Sequence, residues 1–405
     1  MTATAPGLAI IPNVGAAEDG DRVFLDIKAA EGLHLYARHW PGPVRCVSRS
    51  ADPAANAYGR WYARGSLPFD VVCIGADAPI EDALPHLAGA ALVVGGADDY
   101  RDRALPDLLP GTPVVMTIEY ALRTRLDILR LTTGGLPSRL RGGIWLIRQE
   151  RRVRRALARS AGLQANGTPA HDAYRTLNAN PLLFFDTRLA ESDFIGLTGA
   201  ATKAEALTAR RGPIRLAFSG RLERMKGADH LLPVMRALKA RGVDATVDIY
   251  GDGSLQPAIA AEAAGDPWLA ARVRMRGAVD FETALVPALK TETDLFICPH
   301  PQGDPSCTYL ETLGCGVPIA GFLNPAFRGV LALGPCGVGV RVGDDRGLAA
   351  AIAALAADRG KLAALTRGAA AVAATRLFEP TLAARVAHLR AVAGLDAVPS
   401  LSASR

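Results

Sequence analysis

The sequence predicts two doubly wound α/β domains that face each other across a cleft. Three observations predict this. The chain has 405 residues, whereas single hydrophobic cores stop growing near ~250–300 residues. Short apolar runs alternate with helical patterns from end to end, as parallel βαβ units do. The pattern breaks once, near 188–213, where RLAESDFIGLTGAATKAEALTARRGP is polar, small and without strand character. Sheets of this kind bind ligands beyond the carboxyl ends of their strands, so two of them facing across a cleft form a natural site.

In the first half, strands are expected at Gly7–Asn13, Val44–Ser48, Phe69–Ile74, Ala91–Gly95 and Pro113–Ile118. These runs are nearly all apolar, which suits strands covered on both faces. Arg22–Trp40 reads as an amphipathic helical piece between them. In the second half, strands are expected at Ile214–Ser219, Ala245–Tyr250, Val273–Arg276, Leu295–Pro299 and Pro318–Gly321, with helices at Gly227–Ala240 and Gly347–Ala357. A helix at about Glu379–Val392 closes the chain. The domain boundaries that follow are 1–190, a linker at 191–212, 213–376 and a closing segment at 377–405.

Composition excludes several classes. Hydrophobic residues make 49% and charged residues 21% of the chain, an ordinary folded balance. No apolar run approaches the ~18–20 residues that span a bilayer. The opening MTATAPGLAIIP lacks the basic and apolar regions of a secretory signal, so a cytoplasmic setting is expected. Six cysteines contain no C-x-x-C pair, and zinc sites usually pair ligands at such spacing; they read as small buried hydrophobes in a reducing compartment. The net charge of +6 is local. Residues 121–160 hold eleven arginines against Asp127 and Glu150, a balance of +9 that leaves the remainder at −3. That stretch also contains Leu140, Ile144, Trp145, Leu146 and Ile147. It reads either as a solvated helix face or as a segment for an anionic membrane surface. Nucleic-acid binding is not expected, because aromatic interleaving is limited to Trp145 and no recognition motif accompanies it.

Two motifs carry chemistry. The first is SGRLERMKG, 219–227. Gly220 turns the backbone sharply after a strand, and Arg221 and Lys226 follow at a spacing that can place two cations about one anion, near a helix beginning at Gly227. A diphosphate suits this set, since Arg forks onto two oxygens and Lys supplies a point charge; a solvated strand-to-helix loop is the plainer reading. The second is PHPQGDPSCTYLETLGCGVPIAGF, 299–322. It predicts a helix from about Thr308 to the Gly-Cys-Gly of 314–316, with Asp304 just outside its N-terminus and Glu311 one turn in. The amides of Ser306, Cys307, Thr308 and Tyr309 are then candidate anion donors, and Glu311 is suited to accept from vicinal hydroxyls. The plainer reading has Asp304 capping the helix and Glu311 paired with a cation. Between them, GDGS at 251–254 follows a strand and permits close approach at Gly251. No G-x-G-x-x-G fingerprint opens a helix.

The order of these elements resembles the retaining glycosyltransferase family 4, of GT-B fold. SGRLERMKG, IYGDGS (249–254), VRMRGAV (273–279) and CPHPQGDPSCTYLETLGCGVP (298–318) carry the resemblance in the C-terminal half. In the N-terminal half it is architectural, helped by NGTPAHDAY (166–174), which is similar to the segment before the domain crossover. LFEPTLAARVAHL (377–389) is similar to the family's last helix, which packs back on the N-terminal domain. The resemblance implies that Arg221 and Lys226 neutralise a donor diphosphate, that Glu311 holds the donor ribose, and that Arg276 and Gly277 lie beside the base. It implies donor contacts around Gly220 and Gly251 as well. The family places a second glutamate eight positions before the ribose carboxylate. Gly303 stands there in this chain, and the nearest acid is Asp304. On the acceptor side the family often has a histidine after a strand end like VVMTIEY (114–120), where Glu119 stands here.

The implied reaction moves a sugar from a nucleotide-diphosphate donor to an acceptor hydroxyl, on a glycan or a lipid-linked molecule, with retention at the anomeric carbon. Envelope polysaccharide or glycolipid assembly is the family's usual setting. Charge on the departing phosphate is stabilised by Arg221 and Lys226, so no metal or other cofactor is expected. The contiguous pair Asp98–Asp99 reads as loop surface rather than as a metal-binding D-x-D. Two alternatives stand beside this one: a nucleotide-sugar epimerase of the same fold, for which His300 is the only histidine near the donor motifs, and a non-catalytic nucleotide-sugar-binding partner, suggested by Gly303.

Overall fold

The computed structural model describes residues 5–56 and 58–396; the first four residues of the opening segment and the last nine of the closing segment lie outside them. The strands are β1 (Gly7–Ile10), β2 (Ala17–Asp19), β3 (Arg22–Asp26), β4 (Val44–Arg49), β5 (Gly59–Ala63), β6 (Asp70–Ile74), β7 (Ala90–Gly96), β8 (Val114–Ile118), β9 (Gly162–Asn166), β10 (Pro181–Phe184), β11 (Ile214–Ser219), β12 (Ala245–Tyr250), β13 (Val273–Gly277), β14 (Leu295–Cys298), β15 (Ile319–Phe322) and β16 (Gly337–Val340). They form a seven-stranded sheet in the order β10-β9-β8-β7-β1-β4-β6 and a six-stranded sheet in the order β13-β12-β11-β14-β15-β16. Every pairing in both is parallel. This is the GT-B arrangement of two Rossmann-like domains. Each sheet is covered on both faces, which is why β14 and β15 are buried at every residue.

Strand order reverses between β1 and β7 in the first sheet, and between β11 and β14 in the second. Such switch points leave a crevice at the strand carboxyl ends. In the second domain the crevice therefore lies between the loop after Ser219 and the loop after Cys298, the two segments that carry the sequence motifs.

Several elements differ from expectation. Arg22–Trp40 is not one helix: β3 pairs antiparallel with β2 and β5, and the helix runs from Ile27 to His39, capped by Asp26 accepting from Ala29 N at 3.1 Å. Strand alternation wins locally because Val23 and Leu25 bury into the core of the first domain. The strands β9, β10 and β16 were not expected. GLQAN and GVGV are too short and too poor in large apolar residues to announce themselves. The segment 191–212 contains the helix Gly196–Ala209, whose Ala200, Ala204 and Leu207 are buried. Helical structure after Lys226 begins late: two short 3₁₀ turns precede the α-helix Leu231–Ala240.

The chain crosses between domains twice. Residues 185–189 lead out of β10, and Phe378 N donates back to Leu189 O at 2.9 Å as the chain returns. The last helix, Phe378–Val392, then buries Leu382, Val386 and Leu389 in the core of the first domain. Elsewhere the domains touch closely: Thr124 Oγ1 donates to Gly303 O at 3.3 Å, and a Cβ on Gly167 would lie 2.6 Å from Pro305.

Candidate functional site

Three strand ends build the floor of the crevice. Gly220 N donates to Tyr250 O at 3.1 Å and Gly251 N to Gly277 O at 2.7 Å, which ties the exits of β11, β12 and β13 together. A Cβ on Gly251 would fall 2.1 Å from Gly220 O, so only glycine permits this approach. Gly227 has φ +70, and a Cβ there would meet Pro299 O at 1.9 Å. It presses the β11 loop against the β14 loop. The amides of Lys226 and Gly227 donate to Glu223 O and Arg224 O inside a 3₁₀ turn. They are not the open end of an α-helix, and the expected helix-terminus anion site at Gly227 is absent.

Within this frame Arg221 and Lys226 part company. Arg221 is exposed, and its side chain rests 3.9 Å from Met225 Sδ. Lys226 is buried, and its Nζ donates to Asp304 Oδ2 at 2.6 Å and reaches Ser306 Oγ at 3.5 Å. Two of the ammonium's three donors are thus engaged. Asp304 is buried, and its Oδ1 has no partner among the described residues. Burial opposes its charge, but the Lys226 ammonium outweighs that cost and holds its carboxyl below the usual range. His300 lies behind the pair, buried, with neither ring nitrogen partnered among the described residues. Burial and the nearby Lys226 push its pKa down to about 3, so it stays neutral.

The helix after Asp304 runs from Thr308 to Gly314. Asp304 does not cap it: Cys307 occupies that position, and Asp304 points to Lys226. The Ser306 amide donates to Asp304 O and the Tyr309 amide to Ser306 O. Of the four amides expected to face an anion, those of Cys307 and Thr308 have no acceptor among the described residues. The Ser306 hydroxyl donates to Thr308 Oγ1 at 3.1 Å. Tyr309 is a core residue rather than a ligand contact, stacked on Phe327 with its hydroxyl accepting from Asn324. Gly303 lies with its Cα under the Pro325 ring, where a Cβ would come within 3.1 Å. Its carbonyl meets Thr124 of the other domain.

Glu311 is buried and accepts from Arg188 Nε at 3.0 Å. Arg188 belongs to the crossover, and its guanidinium stacks 4.4 Å from the Phe281 ring centroid. Beside it, Asp186 pairs with Lys28 of the first domain, and Lys28 Nζ also lies 3.2 Å from Cys307 Sγ. Burial, then Asp186, pushes the Cys307 thiol well up, so it remains protonated. Arg276, at the end of β13, donates through Nε to Asp248 Oδ1 at 2.7 Å and lies apart from this cluster.

Glu119 faces the crevice from the first domain. Asp98 fixes its loop by accepting from Glu119 N at 2.7 Å and Tyr120 N at 3.3 Å. The Asp98 carboxylate is therefore an interior loop anchor, not loop surface. Burial raises the Glu119 carboxyl to a pKa of about 7, helped by the charges of Asp98, Asp186 and Asp304. Beyond it, a cavity of about 1110 Å³ opens between the helix Leu122–Thr132 and residues 323–328.

Sequence reasoning set Asp98 on the loop surface and missed Lys28, Asp186 and Arg188. The last two follow the apolar run PLLFF, which marks β10 and could have placed D-x-R at a strand exit. Lys28 and Asp98 carry no such signal, since their roles come from segments far apart in the chain.

Residues 213–358 match the family described as glycosyl transferases group 1. No curated protein sequence matches the chain. Among solved structures, the fold is similar to that of HepE from Anabaena in complex with UDP, at 15% identity and TM-score 0.64, covering 95% of this chain and 99% of that one. It is similar to sucrose-phosphate synthase from Thermosynechococcus elongatus, at 15% identity and TM-score 0.65, covering 95% and 98%. It is also similar to the lipopolysaccharide outer core galactosyltransferase WaaB in its apo form, at 9% identity and TM-score 0.64, covering 95% and 99%. At these identities the likeness is one of fold.

Proposed function

We propose that the protein transfers a sugar from a nucleotide-diphosphate donor to an acceptor hydroxyl, with retention at the anomeric carbon. One observation carries this reading. The switch point of the second domain, within the segment that matches the glycosyl transferases group 1 family, gathers Lys226, Ser306 and the free Cys307 and Thr308 amides beside an exposed Arg221. The HepE structures hold UDP, UDP with glucose, or UDP-glucose, which makes a UDP-sugar the first donor to test.

In this reading the diphosphate sits over the β11 and β14 loops. Arg221 folds in from the rim, and Lys226 turns its remaining donor toward the leaving phosphate. Charge that grows on that phosphate during departure is stabilised by groups already in place, which lowers the barrier more than it tightens donor binding. Fixed cations fill the role that a metal plays elsewhere, so no cofactor is required. The donor ribose shares Glu311 with Arg188. The acceptor enters from the side of Glu119, whose carboxyl titrates near neutrality and can hold a hydroxyl hydrogen bond in either protonation state. Asp304 takes the place nearest the missing family glutamate, but its Oδ2 serves Lys226 and only Oδ1 remains for the sugar. A front-face substitution assisted by the leaving phosphate needs no protein nucleophile, and none is assigned. The buried, neutral His300 offers no acid or base to a ligand, which disfavours epimerisation.

Thermal unfolding with UDP, GDP, ADP and CMP tests the reading. A ligand at ~100 times its dissociation constant adds about 2.7 kcal/mol. One diphosphate should stabilise the wild type and fail to stabilise Lys226→Ala and Glu311→Ala. No response to any nucleotide would sink the proposal.

A further inference from the structure

The helix Leu136–Arg159 does something no part of the donor site explains. Its first half stands away from the first domain with large apolar side chains in solvent: Leu136 is 80% exposed, Leu140 68%, Ile144 45%, Trp145 49% and Ile147 54%. Thirteen large apolar residues are exposed among the described residues, and these five lie within twelve consecutive positions. At ~100° per residue, Leu136, Leu140, Ile144 and Ile147 share one sector of roughly 80°. The seam with the helix Leu122–Thr132 runs along one flank of that sector, where Gly142 and Gly143 let Leu129 and Leu126 approach. Arg141, Arg148 and Arg152 line the other flank of the apolar stripe and Arg151 continues it one turn on; none of the four has an ion pair among the described residues. The root of the hairpin is rigid: Arg103 Nη1 donates to Gln149 Oε1 at 2.8 Å, and Arg125 donates to both Glu150 and Tyr174.

We propose that this helical hairpin docks the protein on an anionic phospholipid bilayer, with Leu136, Leu140, Ile144 and Ile147 entering the acyl boundary and Trp145 and the four arginines meeting the headgroup layer. Charge complementarity selects this occupant. An apolar stripe edged by unpaired arginines, with an exposed tryptophan beyond them, fits the layered chemistry of a lipid surface. A second copy of the chain on a two-fold axis would set arginine against arginine. A nucleic acid would leave the aliphatic stripe unused. No helix among the described residues is long and apolar enough to cross a membrane, so the attachment is lateral. The inference stands apart from the sugar-transfer reading. The helix Leu122–Thr132 nevertheless forms both the hairpin seam and one wall of the interdomain cavity, which places that cavity next to the bilayer.

Flotation of the full chain with phosphatidylcholine vesicles, with and without phosphatidylglycerol, tests it. Wild type should float with the anionic vesicles, and the fraction bound should fall as salt rises. Ile144→Glu/Ile147→Glu and Arg141→Gln/Arg148→Gln/Arg151→Gln/Arg152→Gln should each weaken binding about tenfold or more. Both variants alter exposed side chains, so their circular dichroism and any nucleotide-induced stabilisation should match wild type. Wild type that stays with the soluble fraction for both vesicle types overturns the proposal. So does binding that the variants retain in full, or a dimer that both variants dissolve while vesicles never bind.

Discussion

The two domains share a sheet plan and differ in what fills their switch points. At β11/β14 the crevice is walled by short loops that follow their strands directly, and the groups gathered there come from Arg221–Gly227 and Pro299–Glu311. At β1/β7 the chain instead inserts the antiparallel strands β2, β3 and β5, and the side facing the cleft is assembled from Lys28, Asp98, Glu119 and the crossover. A phosphate-binding floor is made by backbone closeness, which leaves local marks in sequence. A face that receives the second substrate is made by side chains drawn from far apart, and it can diverge without disturbing the sheet.

The largest expected effect tests how far the donor floor depends on its own ion pair. Lys226→Ala strips the partner from a buried carboxylate and should cost about 3–5 kcal/mol. Adding Asp304→Asn should restore much of that stability, while the nucleotide response stays lost. Equilibrium urea unfolding of the single and double variants reads both outcomes; full stability in the single variant would deny the pair any structural role. A matched pair of glycines probes backbone closeness next. Gly227→Ala meets both positive φ and the Pro299 carbonyl, and should cost about 3 kcal/mol or more. Gly242→Ala, at φ +69 with open space around it, should cost about 1–2 kcal/mol. Equal costs would mean that the loop-to-loop contact relaxes freely.

The smallest effect belongs to the first domain. Glu119 has its carboxyl raised from 4.5 to about 7 in the folded protein. The folded state thus holds this proton more tightly than the unfolded chain. The fold is penalised as pH rises from about 4.5 to 7, and the penalty is constant above that. It is at most on the order of 3 kcal/mol. Glu119→Gln should therefore stabilise the protein at pH 8 and leave stability unchanged near pH 4. A thermal melt series across that range checks it, and a gain independent of pH would place the effect in packing instead.

Much of the second domain was legible in sequence. β11, β12 and β14 are apolar runs with glycine or proline at their exits, and the helix from Thr308 begins where Pro305 and Ser306 announce a turn. The partnerships were less visible. Nothing in the order of residues pairs Asp304 with Lys226, or buries Tyr309 beneath Asn324, because those contacts depend on how two loops meet in space. The same holds for Arg188 on Glu311, 123 positions apart. Arg22–Asp26 misled for a different reason. Its apolar residues fit a helical period until β5, far ahead in the chain, supplies the strand partner.

The return of the last helix to the first domain has a consequence for the newborn chain. Leu382, Val386 and Leu389 complete a core whose own sheet ends at Phe184, with the entire second domain translated in between. Domains generally mature in the order they are made. Here the domain that emerges before the other is finished after it. Until those residues arrive, the helix Ile27–His39 and the strands β9 and β10 lack part of their covering, and a ribosome that stops short leaves that apolar face open.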